Sequence, residues 1–131
     1  MLTDQPRHSA QLSGATPLRI ESTAGVGRRV VTLQGELDTT NADQLRNVLN
    51  DILDDVLITL RNDGATPAVE LVVIDLAQLT FLAAAGLNVL AESRRRVRAA
   101  GARLVLTRPT PFALRILCIV GLDDLLALEY G

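Results

Sequence analysis

Residues 79–93 read LTFLAAAGLNVLAES, and they join the two kinds of pattern found along this chain. Before them, VELVVIDL (69–76) is almost continuously apolar, as expected of a central strand covered on both faces or packed beneath helices. After them, Leu87, Leu90, Ala91 and Val97 recur at helical spacing, and the pattern stops at Ala100-Gly101. A strand that runs through a loop into a helix is the building unit of an α/β sheet. The boundary itself is Ala83-Ala84-Ala85-Gly86. The first amides of a helix have no partner inside it, and Ser, Thr, Asp or Asn usually supplies one. Three alanines supply none.

Outward from this junction the order of elements can be read in both directions. Toward the N-terminus, LDTTNADQLRNVLNDILDDVLITLRNDGATP (37–67) carries apolar residues at 45, 48, 49, 52, 53, 56, 57 and 60. That spacing places all eight on one stripe and predicts a helix from about Asn41 to Arg61, capped by Thr39 or Thr40 and ended by Asn62-Asp63-Gly64. Such a helix is about 30 Å long. Its far end would expose Val56, Leu57 and Leu60 unless the following loop folds back over them or a second copy covers them. PLRIEST, the turn AGVG, and RRVVTLQGEL predict an antiparallel hairpin before it. Residues 1–16 lack periodicity and read as a mobile tail. Toward the C-terminus, ARLVLTR predicts another strand, which a parallel crossover through the second helix would join to VELVVIDL. Pro109 and Pro111 open a third helix, PFALRILCIV, and GLDDLLALEYG ends the chain with a short helix and an edge strand. The result is one α/β domain over 17–131.

Composition narrows the chemistry. Only 2% of the 131 residues are aromatic and the net charge is −2, which argues against base stacking and against nucleic acid as a direct partner. All thirteen basic residues are Arg. The only histidine, His8, lies in the tail, which removes a His-based catalytic constellation from the domain, and one Cys with one remote His makes no metal site. No Walker loop or GxGxxG occurs, and Asp38 with Asp75 is the only carboxylate pair weighed for Mg²⁺. The reading is therefore non-enzymatic, without catalytic residue, cofactor or metal. No secretory signal and no membrane-length apolar run is present, which predicts a cytoplasmic protein without direct membrane contact. The run SRRRVR (93–98) reads either as a patch for an acidic or phosphorylated partner or, given the acidic balance, as a solvated helix face. Cys118 reads as a small hydrophobe, with a thiol switch between chains as the alternative.

LQGELD (33–38), VVIDLAQLTFLAAAGLNVL (72–90), the Arg-rich helix, GARLVLTRPTP (101–111) and VGLDDLL (120–126) together resemble a STAS domain of the bacterial anti-sigma-factor antagonist type. The resemblance spans about residues 17–130. It implies a STAS-type mixed β-sheet of four to five strands with helices packed on it. It also implies binding to an anti-sigma factor, often a serine kinase of the GHKL type, and so a role in sigma-factor-dependent transcription. Kinase-regulated members read Asp-Ser-x-Gly before the second helix. On this chain Ala83 takes the Asp position, Ala84 the phosphoacceptor, Ala85 the variable position, and Gly86 keeps the glycine. Asn88 stands where a glycine is common. A phosphoserine adds about −1.5 to −2 charges at such a helix start, and alanine has no hydroxyl to accept them. The implied partner surface is Asp38, Thr39, Thr40, Ala83, Ala84, Ala85, Gly86, Leu87 and Asn88, with no phosphorylation switch. Two alternatives to this reading are an adaptor subunit of an ABC-type lipid transport complex and a scaffold in a larger STAS assembly; a homodimer is a further expectation.

Overall fold

The computed structural model describes residues 17–63 and 69–126, with the backbone alone for 57–63. Strand β1 (Arg19–Gly25) and strand β2 (Gly27–Leu37) form an antiparallel hairpin whose turn needs Gly27 at a φ of 71°. Helix α1 (Ala42–Asp63) then leads to strand β3 (Val69–Leu82), which lies parallel to β2. Helix α2 (Ala84–Ala99) leads in turn to strand β4 (Arg103–Thr107), parallel to β3. Helix α3 (Pro111–Val120) and a 3₁₀ turn (Asp123–Leu125) follow, and Leu126 bridges in parallel to Leu106. The sheet is mixed and four-stranded, in the order β1-β2-β3-β4. The predicted tail (1–16) and the final residues after Leu126 lie outside the described residues.

The core forms where the apolar stripe of α1 meets the sheet. Leu45, Leu49, Ile52, Leu53 and Val56 are at most 5% exposed, and Val31, Leu33, Val72 and Ile74 face them from the strands at 0%. Val56, one of the three residues expected to be bare unless covered, is buried within the single chain, and Leu57 and Leu60 lie beyond the described side chains. The opposite sheet face carries a smaller cluster of Val73 and Val105 with Val30 and Leu71 against it.

One element differs clearly from its sequence pattern. The strand expected to end at Leu76 continues to Leu82, and the expected loop shrinks to Ala83. The register explains the extension. Thr32 pairs with Asp75 but Gln34 with Gln78, and Gly35 pairs with Leu79 but Glu36 with Phe81. At each step β3 spends one residue more than β2, the signature of a bulge. Each bulge shifts the alternation by one, so Leu76, Leu79 and Leu82, three apart, all reach the same buried face at no more than 3% exposure. Side chains support both bulges. The Asp75 carboxylate accepts the amide of Ala77 at 3.0 Å, and the Thr80 hydroxyl donates to the Gly35 carbonyl at 3.0 Å.

Candidate functional site

The extension of β3 sets the alanine junction beside the end of β2. The Ala83 amide donates to the Leu37 carbonyl at 2.9 Å, and the Ala83 carbonyl accepts from Gly86 and Leu87 at 3.0 and 3.1 Å. Ala83 thus occupies the N-cap position of α2 with extended dihedrals (φ −100°, ψ 171°), and no side chain caps the helix. Packing replaces the cap. A Cβ on Gly86 would lie 2.5 Å from Leu37 Cγ and 3.2 Å from Leu82 Cδ1, so the first turn of α2 rests directly on the end of β2 because residue 86 is glycine. Leu82 and Leu87 contribute to this support, being 3% and 9% exposed. Phe81 does not: it points outward and stacks on Phe112, with ring centroids 6.0 Å apart.

The turn after β2 is built by Asp38. Its Oδ1 accepts from the backbone amide of Thr40 at 2.9 Å and from the Thr40 hydroxyl at 2.6 Å, while its carbonyl accepts the amide of Ala42. Asn41 folds back, accepting from the Asp38 amide and donating to the Glu36 carbonyl. Asp38 therefore closes a turn just ahead of α1, its carboxylate reaching the amide two residues on, and the hydroxyl of Thr40, one of the two expected caps, is spent on that carboxylate. Thr39 and Thr40 are left exposed.

Of the nine nominated residues, the structure brings both groups together through the Leu37–Ala83 hydrogen bond. Thr39, Thr40, Ala84 and Asn88 are exposed, Asp38, Ala83 and Ala85 are half-buried, and Gly86 and Leu87 are buried. The surface does not stop there. Ala84, Leu87, Asn88 and Ala91 line a shallow depression of about 240 Å³ closed on its far side by Val120 and Leu122. Helix α3 adds exposed apolar side chains: Ile119 is 73% exposed, Val120 48% and Phe112 42%. This ridge was missed by reading the sequence. A signal was available, since PFALRILCIV has a single charged residue, Arg115, and an all-apolar helix must be covered on every side or leave part of its surface bare. Cys118 is exposed on the same helix.

The carboxylates of Asp38 and Asp75 are each engaged by other groups, Asp38 by Thr40 and Asp75 by Arg108. Burial alone would raise the Asp75 pKa, but the hydrogen bond and charge of Arg108, with the Ala77 amide, outweigh it and hold the carboxyl below the usual aspartate range. Asp75 is thus already neutralised by the Arg108 guanidinium. Among the described residues no group of three or more His, Cys, Asp or Glu gathers as a metal site, and no helix is long and apolar enough to cross a membrane.

Comparison with known proteins agrees with this architecture. The STAS domain family model matches residues 18–130. The solved structure of the anti-sigma factor antagonist SpoIIAA in its unphosphorylated form superposes with a TM-score of 0.66 at 20% identity, covering 85% of this chain and 86% of that one. An anti-sigma factor antagonist from Mycobacterium paratuberculosis gives 0.68 at 23% identity, covering 84% and 83%. The phosphorylated form of SpoIIAA from Bacillus gives 0.60 at 21% identity, covering 85% and 89%. At these identities the likeness shows a shared fold. No curated protein matches the chain.

Proposed function

This chain belongs to the STAS domain family, and on that premise we propose that it is a non-enzymatic anti-sigma factor antagonist. It binds an anti-sigma factor, a serine kinase of the GHKL type being the partner class favoured, and thereby regulates sigma-factor-dependent transcription in the cytoplasm. The observation that carries the reading is the joining of the Asp38–Thr40 turn to the Ala83–Asn88 turn by the Leu37–Ala83 hydrogen bond. A loop and a helix start far apart in sequence are thus joined side by side, and the bare apolar ridge of α3 supplies the kind of surface that protein partners bury. Similarity to antagonists of anti-sigma factors over most of both chains supports the partner class.

In this reading Ala84 makes binding indifferent to kinase activity. Its exposed methyl accepts no phosphate, so position 84 presents the same uncharged surface to a partner whether or not ATP is present. Control then falls to abundance, to competition between partners, or to the exposed Cys118. The test is direct. The chain is incubated with the cognate kinase and ATP, followed by intact-mass measurement and by titration calorimetry with the same kinase. The expected outcome is no added phosphate and an affinity unchanged by the incubation. A stoichiometric phosphate on residues 79–88, or no binding to any anti-sigma factor of the source cell, would overturn the proposal.

A further inference from the structure

A second feature lies at the other end of α2. Residues 84 and 98 are separated by about 21 Å along the helix axis, so the feature is distinct from the partner face proposed above. Arg94 and Arg98 from α2, Arg103 from the start of β4, and Asp124 from the 3₁₀ turn line a cleft of about 140 Å³. Its floor is apolar, built from Ala102, Leu104 and Leu125, which are at most 6% exposed.

This cleft gathers two arginines that no carboxylate among the described residues holds. Arg19, Arg29, Arg46, Arg94 and Arg108 each hold a carboxylate, as expected on a chain with fifteen acidic and thirteen basic residues. Arg94 is fixed by Asp124 through two hydrogen bonds of 3.2 and 2.6 Å. Arg98 and Arg103 form no ion pair among the described residues, although both line this one cleft. Among its described lining residues the balance is three guanidinium groups against one carboxylate, a net charge of about +2 beside a low-dielectric floor. The C-terminal carbonyls of α2 oppose this with only about half a negative charge. Two forked guanidinium groups match the spread-out charge of a tetrahedral oxyanion better than a single carboxylate. A phosphate group is within the size of the cleft.

We propose that this cleft, formed by Arg94, Arg98 and Arg103 with Asp124 as the anchor of Arg94, binds a phosphate group. The group is either free phosphate or the phosphomonoester of a modified side chain on another protein. Asp124 sets the wall by holding Arg94, and at the same time limits affinity by neutralising it.

Amide NMR of the full chain, titrated with inorganic phosphate and separately with O-phosphoserine at constant ionic strength, tests this. Saturable shifts are expected in residues 98–104 and 124–126, with dissociation constants of about 1 mM. Stronger binding of phosphoserine identifies the phosphomonoester source, and equal binding identifies the free anion. R98Q/R103Q, two changes at exposed positions, is expected to weaken binding about tenfold or more, while R95Q, on α2 but outside the cleft, leaves it unchanged. D124N removes the competing carboxylate and is expected to tighten binding several-fold. Shifts that never saturate, shifts that spread equally to Arg95 and Arg115, or a D124N variant that binds no better would each overturn the proposal.

Discussion

Gly86 is the residue on which the junction turns. A Cβ there would sit 2.5 and 2.6 Å from Leu37 Cγ and Cδ2, and Leu37 is fully buried. Forcing a methyl into such a contact costs about 1–3 kcal/mol, and the better helix propensity of alanine returns only about 1. Gly86→Ala is therefore expected to lower stability by about 1 kcal/mol net and to push α2 away from the Asp38 turn. A lowered urea midpoint together with amide shifts at Asp38–Thr40 would show both effects, and an unchanged spectrum in the turn would refute the close contact. Ala83 gives the opposite case. Its dihedrals are already those of an N-cap and only the side-chain acceptor is missing. Ala83→Ser should add about 0.5–1 kcal/mol, read as a rise of a few degrees in thermal midpoint. Serine is the better choice than aspartate here, because it places no second carboxylate near Asp38.

At the scale of elements, α3 combines firm ends with a bare flank. The Thr110 hydroxyl accepts the Ala113 amide at 3.2 Å and donates to the Leu79 carbonyl of β3 at 3.2 Å, Pro111 occupies the first turn, and Gly121 closes the helix at a φ of 81°. Its exposed residues can therefore change without unfolding it. Ile119→Asp, at a position 73% exposed, is expected to alter stability by less than about 0.5 kcal/mol while weakening anti-sigma factor binding tenfold or more in calorimetry. Undiminished binding would place the ridge outside the interface. The helices and the hairpin were legible in the sequence because each repeats one period along its length, 3.6 for α1 and 2 for β2. The second half of β3 was not, because its two bulges break the period of 2 twice, and Leu76, Leu79 and Leu82 at intervals of three imitate a loop or a helix. The two loops of the candidate face were legible through resemblance. The α3 ridge was not absorbed into that face because nothing local in PFALRILCIV says which of its sides the sheet leaves uncovered.

For the molecule as a whole, the Asp75–Arg108 pair ties the middle of β3 to the link that enters α3. Arg108 adopts a φ of 54°, a conformation that non-glycine residues take rarely, and Asp75 holds its guanidinium there. With the Thr110–Leu79 hydrogen bond, this makes two attachments between β3 and the start of the helix that bears the apolar ridge. The electrostatics give the pair a pH signature. Burial would raise the Asp75 pKa, yet Arg108 and the Ala77 amide leave it lowered. Over the acid range the unfolded chain then binds more protons at this site than the folded one, so stability rises with pH there. The contribution is complete above the unfolded aspartate value of about 4 and is lost as pH falls through the lower folded value. Asp75→Asn keeps the shape and an acceptor but removes the charge. Urea midpoints measured from about pH 2 to 7 should show the wild type losing stability more steeply than the variant on the acid side, so that the two curves converge at low pH and separate to a constant gap above about pH 4. Amide spectra at neutral pH should place the accompanying shifts at Arg108–Ala113, where the attachment enters α3. Curves that run parallel across the whole range would mean that the carboxylate charge does not hold this corner of the fold.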